Sequence, residues 1–167
     1  HPFFDDKIQV KYSKTELVEC VDDIKHPIVR ETIKKFNLKG IDINSIADIP
    51  AGTGLGSSSA YTVGLLHALY IYTNQKVSPE LLAREACEIE IDILKEPIGK
   101  QDQYAAANGG LNVLRFLSDG EVKIEPLKMK HYYFVLFLYL FISCTTKKEK
   151  QMLTSGIDFS RVDSTIR

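Results

Sequence analysis

Residues 50–60 read Pro-Ala-Gly-Thr-Gly-Leu-Gly-Ser-Ser-Ser-Ala, and no other stretch of the 167-residue chain restricts its structure as strongly. Glycines at 52, 54 and 56 let the backbone turn sharply and approach a ligand without Cβ obstruction. Directly afterwards Leu65, Leu66, Leu69 and Tyr72 recur at spacings of three and four, which predicts a helix over about 58–73 with one buried face. The first amides of such a helix have no intrahelical acceptor and stand at the positive end of its dipole, so the segment makes a seat for phosphate. Three serines add hydroxyls for phosphate oxygens or a metal. The segment is not a Walker A loop, because no Gly-Lys-Ser/Thr follows. Nor is it a dinucleotide fingerprint: Ser57 stands where the third glycine would fall, and no acid ends a following strand about 20 residues on. A plain glycine turn ahead of a serine-capped helix fits the same residues.

Composition removes whole classes of function. With 21 Lys+Arg against 22 Asp+Glu the net charge is −1, so no basic footprint points to nucleic acid. A hydrophobic fraction of 44% and a charged fraction of 26% describe an ordinary globular protein rather than a disordered chain. Cys20, Cys87 and Cys144 are widely spaced and form no CxxC, which supports neither a zinc knuckle nor a disulfide framework. Reduced thiols in a cytoplasmic protein are expected. The start, His1-Pro2-Phe3-Phe4-Asp5-Asp6, has no signal-peptide pattern. The uncharged run 132–142 is far shorter than the roughly 20 residues of a membrane-spanning helix. Its β-branched and aromatic content predicts a buried strand instead, and a membrane is not an expected partner.

Around the glycine loop, helices and strands mix without strict βαβ alternation, which predicts an α+β fold. Residues 8–12 alternate apolar and polar as a half-buried strand does, and 41–43 alternate again towards Ile49. Pro27 opens a helix through Phe36, stopped by residues 37–40. Ser78-Pro79-Glu80 caps a helix running to about Leu94, with Leu82, Ala86, Ile89 and Ile93 on its core stripe. Pro97-Ile98-Gly99 breaks it, and 100–108 forms a further short helix. Residues 111–116 and 122–124 flank Asp119-Gly120 as a hairpin. The expected organisation is one domain over 1–153 followed by a polar tail over 154–167.

The string Pro-x-x-x-Gly-Leu-Gly-Ser-Ser-Ser-Ala resembles the central glycine loop of the GHMP kinases. Glu90, Pro97, Gly99 and Asp102-Gln103 resemble the stretch that carries the acidic residues of that superfamily. The wider text, His26-Pro27-Ile28-Val29, residues 48–53 and Pro97-Ile98-Gly99-Lys100-Gln101-Asp102-Gln103-Tyr104, is most similar to the branch of D-glycero-D-manno-heptose 7-phosphate kinases, with L-fucose kinase-like proteins close by. The resemblance runs from about residue 24 to 127 and weakens through Leu153. It implies a ribosomal protein S5 domain 2-like α+β fold, the N-terminal domain of a kinase. The implied activity is transfer of the γ-phosphoryl group of ATP, with Mg²⁺, to a sugar or sugar-phosphate hydroxyl. Runner-up readings are L-fucose or another sugar as acceptor, a nucleotide- or sugar-binding module without turnover, and a structural domain in which the glycine loop is only a turn.

The same resemblance implies roles. Pro50, Gly52, Thr53, Gly54, Leu55, Gly56, Ser57, Ser58 and Ser59 would wrap the nucleotide phosphates. Ser58 and Glu90 would face Mg²⁺, Asp102 would be the catalytic aspartate beside the acceptor hydroxyl, accepting its proton or orienting it, and Lys100, Gln103 and Tyr104 would contact the sugar. Each has a plainer alternative. Glu90 lies between Glu88 and Asp92 and suits a solvated face, Asp102 suits a helix cap, and Lys100 suits solvent. Family members are longer, with an N-terminal sugar-binding segment and a C-terminal domain bearing a third glycine-rich motif. Neither is recognisable here, so truncation at both ends is expected, with catalysis depending on more than these 167 residues.

Overall fold

The computed structural model describes residues 1–47 and 54–128. The expected strand over 132–142, the tail over 154–167, Ile49 and the loop residues Pro50, Gly52 and Thr53 lie outside the described residues.

Alternation of Ile8 and Val10 with Gln9 and Lys11 makes β1 (Ile8–Lys11), whose apolar side chains are buried. It pairs antiparallel with β2 (Thr15–Val18) and parallel with β3 (Ile41–Asn44), giving the sheet order β2-β1-β3. The short strand β2 was not foreseen, because Thr-Glu-Leu-Val shows too little alternation to stand out. A 3-10 turn (Val21–Asp23) leads into α1 (Pro27–Phe36). Pro27 occupies its first turn, His26 Nδ1 accepts from Val29 N, and Asn37 ends it in the left-handed conformation at φ 49°. The mixed sheet confirms the α+β expectation.

The central helix, α2 (Ser57–Tyr72), follows the glycine loop. It is buried on two sides rather than along one stripe. Leu65 and Leu69 join Ile8, Val10, Ile33, Ile41 and other residues between sheet and helices, whereas Val63, Leu66 and Tyr70 pack with Leu82, Ala86 and Ile89. Tyr72, expected on the buried face, is 43% exposed, and Tyr70 takes the interior place. Each fully buried Leu or Ile contributes roughly 1.5–3 kcal/mol, so α2 is held by two cores at once.

Helix α3 (Pro79–Cys87), capped by the Ser78 hydroxyl accepting from Leu81 N, passes without a break into a π-helical turn (Glu88–Ile93). Leu94 N donates to Ile89 O, a spacing of five instead of four. The widened turn moves the core stripe by one residue: Leu94 packs into the interior and Ile93 is left 49% exposed, contrary to the expectation from an unbroken α-helix. Helix α4 (Gln101–Asn108) packs on α2 and α3. The hairpin of β4 (Asn112–Phe116) and β5 (Val122–Pro126) turns through Asp119-Gly120 as foreseen. These elements form one compact unit, His1–Pro126. Among the described residues no helix is long and apolar enough to cross a membrane.

Two buried carboxylates tie the elements together. Glu85 of α3 accepts from Tyr70 Oη of α2 at 2.9 Å and pairs with Lys35 of α1 at 3.0 Å. Burial and then the Glu85 contact push the Tyr70 phenol up to about 12, so it remains a donor. Glu16 of β2 accepts from Lys25 N, His26 N and Tyr12 Oη, which fixes the entry to α1. Burial alone would raise the Glu16 carboxyl, but those hydrogen bonds and the Lys25 charge outweigh it and hold it below the usual carboxylate range.

A group lowered in the folded state contributes stability above its unfolded pKa and loses it as pH falls through the folded value. Glu16→Gln, which sets an amide N–H against a backbone N–H, is therefore expected to cost about 1–3 kcal/mol at neutral pH. The gap between variant and wild type should narrow as the pH falls below the usual carboxylate value, which urea unfolding at several pH values measures.

Candidate active site at the start of the central helix

Gly54 and Gly56 both adopt left-handed backbone, at φ 71° and 70°, and carry Leu55 between them on the surface. Gly56 is the N-cap of α2 and offers no side-chain cap. The first intrahelical bond is Ala60 N to Gly56 O at 3.0 Å, so the amides of Ser57, Ser58 and Ser59 have no intrahelical acceptor. Among the described residues these amides, at the positive end of a 16-residue helix, have no acceptor. Ser59 is buried, unlike Ser57 and Ser58, so its hydroxyl has no open face.

Three elements bring side chains to this end. Ser58 Oγ donates to Glu90 Oε1 at 2.7 Å, joining α2 to the π-turn. Gln103 Nε2 of α4 donates to Glu90 Oε2 at 2.6 Å. Glu90 is 0% exposed, whereas Glu88 and Asp92 on either side face solvent, so the solvated-face alternative does not hold for Glu90. Asp102, exposed in the first turn of α4, lies against the loop: a Cβ on Gly56 would stand 3.3 Å from its Oδ2. Ser58, Glu90 and Asp102, separated by up to 44 positions in the sequence, therefore meet around the first turn of α2.

Glu90 has no ion-pair partner among the described residues; both of its hydrogen-bond donors are neutral. A buried carboxylate held only by neutral donors suits a cation. The 2.7 Å between Ser58 Oγ and Glu90 Oε1 is close to the roughly 2.9 Å separating adjacent oxygens of an octahedron with Mg–O of about 2.0–2.1 Å. No group of three or more His, Cys, Asp or Glu gathers among the described residues.

The remaining expected residues fall differently. Lys100 is exposed at the start of α4. Tyr104 is buried with Ala83 and Cys87 and meets the Phe116 ring edge-on, so its position is that of a core residue rather than a sugar contact. Gln103 is fully buried on Glu90, a link that sequence reasoning missed. Cys87 is no nucleophile: burial, aided by the Glu90 and Asp92 charges against that of Lys100, pushes its thiol up to about 11. A surface hollow of about 490 Å³ runs between β3 and α2 and is lined by Ile43, Tyr61, Leu65 and others. It does not include Ser58, Glu90 or Asp102.

Residues 11–110 match the family model described as GHMP kinases N terminal domain. The D-glycero-alpha-D-manno-heptose 7-phosphate kinase of Campylobacter jejuni is 35% identical over 112 residues, 66% of this chain and 33% of that protein. A galactokinase from Pyrococcus furiosus is 28% identical over 122 residues, 73% of this chain and 34% of that protein. Among solved structures, a D-glycero-D-manno-heptose 1-phosphate kinase from Bacteriodes thetaiotaomicron superposes with a TM-score of 0.71 at 30% identity, covering 79% of this chain and 47% of that one. The chain spans about a third of the length of these curated relatives.

Two glycines of α2 and its cap should respond in opposite directions. Gly56→Ala forces a left-handed alanine and crowds Asp102, so a loss of about 1–2 kcal/mol is expected. Gly64→Ala, mid-helix with open space around it, should gain roughly 0.5–1 kcal/mol. Denaturant unfolding of both variants reads the signs directly.

Proposed function

The chain belongs to the GHMP kinase family, and on that premise we propose that the protein moves the γ-phosphoryl group of ATP to a hydroxyl of a sugar or sugar phosphate. D-glycero-D-manno-heptose 7-phosphate is the leading acceptor, because heptose phosphate kinases stand among both the curated relatives and the solved structures that resemble it. ATP as donor, and free thiols at Cys20 and Cys87, fit a cytoplasmic setting. One observation carries the reading. The Ser58 hydroxyl and the buried Glu90 carboxylate meet at the end of α2 where Asp102 lies against Gly56.

The chemistry asks little covalent work of the protein. Phosphoryl transfer depends on positioning and on neutralising charge in the transition state. The amides of residues 57–59 hold phosphate oxygens through hydrogen bonds and the helix dipole. Leu55, Pro50, Gly52 and Thr53 complete the loop in this reading. Ser58 and Glu90 would hold Mg²⁺, which when bound would neutralise phosphate charge. Asp102 orients the acceptor hydroxyl and accepts its proton as the oxygen attacks the γ-phosphorus, whose bond to the β,γ-bridging oxygen breaks so that ADP leaves. Its carboxylate is exposed, and so can reach an acceptor arriving from solvent. Lys100, exposed two residues earlier, would meet a sugar phosphate in this reading.

The competing outcome is nucleotide binding without turnover. Release of ADP in the presence of a panel of sugars and sugar phosphates separates the two: acceptor-stimulated release marks a kinase, and calorimetric ATP binding without it marks a module. In the complete gene product Asp102→Asn should lower kcat by about 10²–10⁴ while leaving ATP affinity nearly unchanged. Normal turnover in that variant removes Asp102 from the mechanism.

A further inference from the structure

Gln103 occupies a place that a polar side chain fills only at a cost. It is 0% exposed, and its Oε1 is buried with no hydrogen-bond partner among the described residues. An orphaned buried carbonyl is unfavourable, so an apolar side chain of similar size would suit the local packing better. What glutamine offers here is its other end. Nε2 donates to Glu90 Oε2 at 2.6 Å, a short hydrogen bond to a carboxylate.

Glu90 is thereby held from two sides. Ser58 of α2 engages Oε1 and Gln103 of α4 engages Oε2, which fixes the plane of the carboxylate and leaves Oε1 as the oxygen beside the loop. The backbone beneath Glu90 is a π-turn, with a spacing of five between Ile89 and Leu94, a local geometry frequent at functional sites. Gln103 also follows Asp102 directly, so adjacent residues on one helix point to different tasks: Asp102 outward against Gly56, Gln103 inward onto Glu90. A single rigid turn of α4 thus sets the carboxylate on the cation side and the acid on the acceptor side relative to each other.

We propose that Gln103 is a positioning residue that acts through Glu90, aiming the carboxylate at the cation shared with Ser58, and that it makes no contact with the sugar. The proposal rests on the cation reading of Ser58 and Glu90 given above. Hydrogen-bonding partners behind a metal ligand typically alter metal affinity or activity by about 10–100-fold when removed.

The test uses the complete gene product and a double-mutant cycle of Gln103→Met and Glu90→Gln, reading half-saturating Mg²⁺, acceptor KM, kcat and the thermal transition without ligand. Gln103→Met should raise half-saturating Mg²⁺ by about tenfold, within the range for such partners, with acceptor KM changed less than about twofold. Because the orphan Oε1 is removed, the thermal transition should hold or rise. In the Glu90→Gln background Gln103→Met should add nothing further, since its effect runs through Glu90. Gln103→Leu serves as a second apolar variant should Met fold poorly, with the same expectations. An unchanged Mg²⁺ requirement in the apolar variant, losses that multiply across the cycle, or a loss confined to acceptor KM would each overturn the proposal. If Glu90→Gln itself leaves the Mg²⁺ requirement untouched, the cation reading fails and this inference fails with it. A sensitive Glu90→Gln beside a silent Gln103→Met sinks the inference alone.

Discussion

A carboxylate withdrawn from water must be satisfied by donors or by a cation, and Glu90 is the residue around which this structure is arranged. Desolvating such a group without compensation costs on the order of several kcal/mol. Its burial needs three elements at once: the π-turn that carries it, the first turn of α2 that supplies Ser58, and the first turn of α4 that supplies Gln103. Those two first turns are also the ones that carry the free amides of the loop and the Asp102 carboxylate. Satisfying one buried charge therefore assembles the whole candidate site. The donors it receives are neutral, which leaves its charge available to an ion arriving with phosphate.

The rest of the unit serves to hold α2 still. With one side on the sheet and the other on α3, the helix is packed by two cores, and Glu85 links α1, α2 and α3 through Lys35 and Tyr70. A phosphate seat made of backbone amides has no side chains to adjust, so its precision equals the rigidity of the helix that ends there. The glycines at 54 and 56 both take the left-handed backbone, and at Gly56 a side chain would also crowd Asp102.

Much of this was legible in the sequence, and for identifiable reasons. Proline and serine caps located α1 and α3, glycine punctuation located the loop and the hairpin, and the Gly-Leu-Gly-Ser-Ser text with Glu90 and Asp102 carried the family resemblance. The misses share a cause, namely a tertiary contact that a helical wheel does not contain. Ile93 and Leu94 are both apolar, so nothing in the text favoured a spacing of five over four. Tyr70 displaced Tyr72 from the interior because α2 has two buried sides, which an assumption of one stripe hides. Gln103 and Tyr104 follow the catalytic candidate directly and so read as substrate contacts, yet rotation along α4 turns both inward. Glu90 stands among exposed acids, so composition alone does not separate it from Glu88 and Asp92; the family resemblance singled it out, and the fold buries it alone of the three.

The central claim is that the start of α2 holds the triphosphate and that Ser58 and Glu90 face its cation. A crystal structure with Mg²⁺ and a non-hydrolysable ATP analogue tests this most directly. The account predicts β- and γ-phosphate oxygens on the amides of residues 57–59, with the ion in contact with Ser58 Oγ and the Glu90 carboxylate. A nucleotide seated instead in the hollow between β3 and α2, or an ion touching neither oxygen, would contradict it.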